Sequence, residues 1–224
     1  MILGICYTLN MIKVPFFANT KDDTHCVQAC FKMVLKFYFP DKDFSFEELD
    51  AMSYKVPGKG TWWFPALKQL EAMGVKCKII ELFDYQRYFK EGADYLVEFY
   101  GPQIATSILK TTNLEEVKHL IPALFPGVAY ENRTAGISDI DELLSDGWLV
   151  APEISSSVIN NHVGTTAHMV IVFANDGSNY TFHDPGLPPR AGRVESKKLF
   201  QIAMQYAGEN NTALLAFRPT KPVK

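Results

Sequence analysis

Asp22-Asp23-Thr24-His25-Cys26-Val27-Gln28-Ala29-Cys30-Phe31-Lys32-Met33-Val34-Leu35-Lys36-Phe37-Tyr38-Phe39-Pro40 is the stretch on which the reading of this sequence turns. Val27, Cys30, Phe31, Val34, Leu35 and Tyr38 recur at three- and four-residue steps, the period of one helix face. Cys26 to Tyr38 is therefore predicted as a helix with a broad apolar side. Asp22, Asp23 and Thr24 offer capping oxygens ahead of it, and Pro40 stops it. A cysteine thus stands in the first turn of a buried helix. There the unpaired N–H groups and the helix dipole favour a thiolate, and one N–H can face an oxyanion.

Working outward, Phe46 to Met52 reads as a short helix opened by Ser45, and Trp62 to Met73 as another, capped by Thr61 and closed by Gly74. Val75 to Ile80 alternates as a strand. Gly101 to Leu109 and Leu114 to Leu124 are predicted helical, and a further helix begins at Ser138. After Gly147 the pattern changes: Trp148 to Ala151, His168 to Phe173, Tyr180 to Phe182-His183 and Ala213 to Phe217 read as strands. Asp176-Gly177 marks a hairpin between the second and third of these, and Ser196 to Tyr206 is a helix before the last. The expectation is an α+β protein of one domain, with a helix-rich lobe over about 12–145 and a sheet lobe over about 146–220. A site is expected between the two.

The net charge of −3 gives no footprint for a nucleic-acid backbone, and no apolar run approaches the length of a membrane span. Met1 to Tyr7 is apolar but lacks a basic start and a small-residue cleavage site, so it reads as an extra strand or tail rather than a signal peptide. The ordered pattern begins just after Met11, an alternative start. Cys6, Cys26, Cys30 and Cys77 are too few and too irregular for a disulfide scaffold. A reducing cytoplasm is the expected compartment; only secretion would give meaning to the Asn-x-Thr sites at Asn132 and Asn179.

A thiol nucleophile needs a base beside it and a group that fixes that base. His168 opens a predicted strand, and Asp184 follows the next one, just past the hairpin. Two antiparallel strands joined by such a turn bring the start of one beside the end of the other. His168 and Asp184 are therefore expected as neighbours, a base and its orienting carboxylate, with Cys26 as nucleophile.

Val14-Pro15-Phe16-Phe17, followed by Asp22-Asp23-Thr24-His25-Cys26-Val27-Gln28-Ala29-Cys30, resembles the opening of bacteriocin-processing (double-glycine leader) peptidases of the papain superfamily. Ala167-His168-Met169-Val170-Ile171-Val172 resembles their Gly-His-Tyr-Val-Val-Val strand, and Phe182-His183-Asp184-Pro185-Gly186 their His-Asp-Pro segment. The resemblance implies a papain-like fold, a peptide or protein substrate, and the roles just given to Cys26, His168 and Asp184. It covers two ends of the chain and leaves roughly 40–145 unmatched. Two positions depart from the family pattern. Thr20 stands where members carry an oxyanion-binding Gln, which makes Asn19, the nearest amide, the candidate donor. Val27-Gln28 replaces the usual Gly-Pro.

His25, Cys26, Cys30, His162, His168, His183 and Asp184 lack the spacing of a zinc site, so neither metal nor cofactor is expected. Cys30 and Cys77 read as core residues. Ile159 to Thr166, with His162, reads as a loop flap before the base. Trp62, Trp63 and Phe64 read as a core wedge, with a substrate groove as the alternative. Amide hydrolysis leads among functions. Acyl transfer, in the manner of transglutaminase-like or phytochelatin-synthase-like proteins, and a non-catalytic peptide-binding module both keep the same residues.

Overall fold

Residues 13–220, apart from Pro126, Thr165 and Asn210, are described by a computed structural model of the chain. The readings of Met1–Tyr7, of Cys6 and of a start at Met11 lie outside the described residues. Helix α1 spans Cys26–Tyr38 and buries Phe31, Val34 and Leu35, the face that its periodicity marks. Helix α2 (Phe46–Ser53) opens with a reciprocal cap, the Glu48 N–H on Ser45 Oγ and the Ser45 N–H on Glu48 Oε2. Helix α3 (Phe64–Ala72) starts later than Thr61 because Pro65, with no N–H to satisfy, suits the first turn.

Helices α4 (Tyr85–Glu91), α5 (Ala93–Tyr100) and α6 (Pro102–Thr111) follow. The first two sit in an aromatic-rich stretch without a clean helical period. Asp84 starts α4 by accepting the Gln86 and Arg87 N–H groups, and Gly92, at φ 61°, separates α4 from α5. The single helix expected over Leu114–Leu124 is instead broken. Short α7 (Leu114–Val117) and α8 (Ile121–Leu124) flank a 3₁₀ turn at Lys118–Leu120, since Pro122 cannot donate to the preceding turn. Helices α9 (Ile137–Ser145), α10 (Ser156–Ile159) and α11 (Lys197–Met204) lie in the second half.

Eight strands form one mixed sheet: β1 (Val75–Glu81), β2 (Ala129–Asn132), β3 (Leu149–Ser155), β4 (Ala167–Met169), β5 (Ile171–Asn175), β6 (Asn179–Asp184), β7 (Arg190–Ser196) and β8 (Leu214–Pro219). The order is β2-β1-β8-β3-β5-β6-β7, with β4 paired to the end of β3. The β1–β2 pair is parallel and the remaining pairs are antiparallel. The α+β character is as expected, but the sheet is not confined to the second half. Strands β1 and β2 extend it, and β8 inserts between β1 and β3. One face packs under α1 and α3 through Cys77, Ile79, Ala151, Leu215 and Phe217. The other buries Val150, Val172 and Phe182 against α9 and α11. Among the described residues no helix is long and apolar enough to cross a membrane.

The strand expected over His168–Phe173 divides at Val170, so β4 pairs with β3 while β5 pairs with β6. The hairpin forms where Asp176-Gly177 predicts it. Asp176 Oδ1 accepts the Ser178 and Asn179 N–H groups, and Gly177 adopts φ 97°.

Candidate active site

The loop 19–25 sets where α1 begins. Asp22, Asp23 and Thr24 do not cap the helix; its N-cap is His25, which makes no side-chain cap hydrogen bond. Asn19 organises the turn instead. Its Oδ1 accepts the N–H groups of Thr20 at 2.9 Å and His25 at 2.8 Å, and its Nδ2 donates to Asp23 Oδ1 at 2.7 Å. The Asn19 amide is thus engaged in bracing the loop, and Asn19 is not among the residues lining the adjoining cleft. This differs from the oxyanion role expected of it. The physical reason is local: two backbone donors of the turn have no other acceptor. His25 is held within the same loop, its Nδ1 2.6 Å from Thr20 Oγ1 and its Nε2 3.3 Å from Asp50 Oδ2.

Two main-chain ties join this loop to the far end of the chain. The Asn19 N–H donates to Pro185 O at 2.8 Å, and His183 Nε2 donates to Val14 O at 2.8 Å while its Nδ1 accepts the Gly192 N–H. His183 is therefore structural. These ties hold Asp184 close to the start of α1.

His168 on β4 and Asp184 at the end of β6 meet as their spacing predicts, Nε2 to Oδ1 at 2.8 Å, both buried. With Nε2 on the carboxylate, the other ring nitrogen is left for the thiol, and Cys26 is near enough for the two groups to shift each other's proton affinity. Gly186 donates its N–H to Asp184 Oδ1 at 3.0 Å. A Cβ at Gly186 would stand 3.1 Å from His168 Cε1 and Nε2 and from Asp184 Oδ1, so the close approach of this backbone requires glycine.

Arg193 on β7 completes the arrangement, and nothing in the sequence reading anticipated it. Its Nη1 donates to Asp184 Oδ2 at 3.0 Å and Asn160 Oδ1 at 2.7 Å. Its Nε and Nη2 donate to Glu195 Oε1, and Nη2 also to the Ile159 carbonyl. All five guanidinium N–H groups are used. The one available signal was the i, i+2 pair Arg193 and Glu195 on a strand whose apolar alternation is too weak to reveal it. Asn160, in the expected flap, thus serves as a fixed support, while His162 is exposed.

The charges follow from this geometry. Burial pushes the Cys26 thiol up, but the His168 hydrogen bond and charge, with the backbone of Met169 and Val27, bring it below the ordinary thiol value. Burial pushes His168 down, yet Asp184 and Cys26 together raise it to about 10. Burial likewise disfavours the Asp184 carboxylate, and His168, the Gly186 N–H and Arg193 overcome it, so its pKa falls. The two shifts together favour a thiolate–imidazolium pair beside a carboxylate. By contrast Cys30 and Cys77 are raised by burial; Cys30 Sγ sits 3.4 Å from the Met169 carbonyl.

Cys26 and His168 open onto a cleft of about 670 Å³. Trp62 and Trp63 line it. Trp63 is also core, with its indole N–H on Tyr85 Oη, whereas Trp62 is partly exposed and donates to Thr112 Oγ1. Phe64 is core alone. Glu81 and Glu153 also line the cleft. Each is the one acid of its strand, β1 and β3 respectively. Among the described residues no group of three or more His, Cys, Asp or Glu side chains is arranged to hold a metal ion.

A scan of the chain against protein-family models finds no match, and a search of the curated proteins finds none either.

Proposed function

We propose that this protein is a papain-like cysteine hydrolase that cleaves an amide bond of a peptide or protein, with Cys26 as nucleophile, His168 as base and acid, and Asp184 as orienting carboxylate. The observation that carries the reading is the buried His168 ring, bonded to Asp184 at 2.8 Å and opening with Cys26 onto one cleft. The resemblance of the segments around Cys26, His168 and Asp184 to bacteriocin-processing peptidases supports the same roles. In this reaction the thiolate attacks the substrate carbonyl carbon. The oxygen that gains charge lies by the Cys26 N–H at the start of α1. The imidazolium gives its proton to the leaving amine as the C–N bond breaks, leaving a thioester. His168 then takes a proton from water, the hydroxide displaces the thiolate, and the acid leaves. Free Cys26, Cys30 and Cys77 fit work in a reducing compartment such as the cytoplasm.

Brief iodoacetamide labelling with peptide mapping tests the nucleophile, and digestion of a proteome-derived peptide library tests the reaction. Cys26 is expected to label ahead of Cys6, Cys30 and Cys77, and both the labelled protein and Cys26→Ala are expected to lose cleavage. Labelling of Cys30 or Cys77 first, or cleavage surviving Cys26→Ala, would sink the assignment. Amide formation with an added amine in place of hydrolysis would make the protein an acyltransferase. A reactive Cys26 with no turnover on any acyl substrate would make it a binding module.

A further inference from the structure

Strand register places two carboxyl groups in the cleft that the hydrolysis steps leave unused. Ile80 pairs with Leu214, and Leu214 pairs with Pro152. The next row of the sheet therefore runs Glu81, Ala213, Glu153, with the Glu153 N–H on Ala213 O at 3.0 Å and Met169 opposite Glu153. Residues in one row share a face. This is the face toward α1, because Ile79, Ala151 and Leu215, two residues along, belong to that core. At about 4.8 Å per strand, the Glu81 and Glu153 backbones stand roughly 10 Å apart with only an alanine methyl between them. Met169 ends the row, and it lines the same cleft as His168.

Both acids lack a counter-charge. Glu81 is 4% exposed, and its Oε1 accepts the Tyr85 hydroxyl at 2.7 Å. Glu153 Oε1 accepts the Tyr206 hydroxyl. Among the described residues neither acid makes an ion pair, and no cation contributes to the electrostatics of either. Among the described residues no Lys or Arg lines the cleft, whose walls here are Trp62, Phe83, Phe99 and Tyr100. Holding the buried Glu81 beside the partly buried Glu153 without a cation is unfavourable, so the empty site favours the protonated acid. Burial, with Glu153 nearby, pushes Glu81 up to about 8, and burial raises Glu153 as well. The other titratable groups facing them, Tyr85, Tyr95, Tyr100, Tyr130 and Tyr206, are raised too, first of all by burial, and stay neutral.

We propose that this acid-floored, aromatic-walled part of the cleft binds a primary alkylammonium group carried by the substrate on an aliphatic arm, with Glu81 as its counter-charge and Glu153 as a second acceptor. The proposal rests on the hydrolase reading and names its substrate class. Aromatic faces attract a cation. Two single carboxyl oxygens arriving from separate strands suit the spread donors of an ammonium, whereas a guanidinium favours one parallel carboxylate fork. Binding the ammonium ionises Glu81 and releases its proton.

Calorimetric titration of the full chain with n-butylammonium, and with n-butanol as the neutral match, tests this without using the thiol. Binding of n-butylammonium at least about tenfold tighter than n-butanol is expected, equivalent to about one charge-assisted contact. With one proton released, the affinity should fall by about tenfold per pH unit below about 8, the value for Glu81. Glu81→Gln with Glu153→Gln should erase the preference. Gln matches the protonated carboxyl in size, circular dichroism verifies the fold, and each single variant is measured as well. Equal affinity for amine and alcohol, or an undiminished preference in the double and single variants, would overturn the proposal. The iodoacetamide rate at Cys26, measured on the same samples, reports separately on the hydrolase reading. Competition by Nα-acetyl-lysine methylamide and by butane-1,4-diamine then assigns the ammonium to a peptide side chain or to a free amine, and either result supports the site.

Discussion

Arg193→Met is the most informative single perturbation of the site. Methionine keeps the aliphatic stem and removes five N–H donors at once from a side chain that is 8% exposed. Asp184 loses its 3.0 Å partner, and Asn160, Glu195 and the Ile159 carbonyl lose theirs. Removing one member of a buried ion pair costs about 3–5 kcal/mol. Glu195 is partly exposed and can rehydrate, which puts the expected loss in the lower part of that range, about 3–4 kcal/mol. At about 2–4 °C per kcal/mol for a chain of this size, the melting temperature should drop by roughly 6–16 °C. Arg193→Lys keeps the charge but not the fork, so it should lose less. Urea denaturation followed by far-UV circular dichroism measures both. A loss below about 1 kcal/mol for Arg193→Met would place the pair with exposed ion pairs and refute the claim that it holds Asp184.

Three other outcomes are expected. Asn19→Ala should cost about 1–3 kcal/mol by unpairing the Thr20 and His25 N–H groups, and chemical denaturation reads this; an oxyanion role would instead lower kcat and leave stability unchanged. Gly186→Ala should lower kcat/KM by up to about 10²-fold by pushing the His168 ring out of line, with a smaller effect on folding; unchanged kinetics would show that the 3.1 Å approach is not a constraint. Activity needs Cys26 unprotonated and His168 protonated. It should rise through the lowered Cys26 pKa and decline only as pH approaches about 10, where the imidazolium loses its proton. A decline centred near the ordinary histidine value of about 6.5 would contradict the pair.

Cys26, His168 and Asp184 were legible because each sits where local pattern alone fixes its place: a helix start, a strand start and a strand end around Asp176-Gly177. Hairpin geometry then brings the last two together without any knowledge of the rest. Arg193 and the acid row were not legible, because Glu81 meets Glu153 only through β8, and no local period reports which strand lies between two others. Helices α4 and α5 escaped because Phe83, Tyr85, Tyr88, Tyr95 and Phe99 pack as one aromatic cluster, which blurs the helical period. Asn19 differs for another reason: an amide just ahead of Cys26 suggests a donor, whereas the turn beside it uses the amide oxygen as an acceptor.

The central place of β8 has a consequence for biosynthesis. Strands β1 and β3 do not pair with each other, so the middle of the sheet stays open until residues 214–219 have left the ribosome. Cys26 is made 193 residues before Pro219 (219 less 26). At about 5–20 residues per second, that interval lasts roughly 10–40 s. During it the thiol lacks first His168, then Asp184, then the frame that seats them, and it keeps the modest reactivity of any cysteine. Cys26 therefore leaves the ribosome before His168 and Asp184 can be seated beside it, and the synthesis of β8 times when the three can come together.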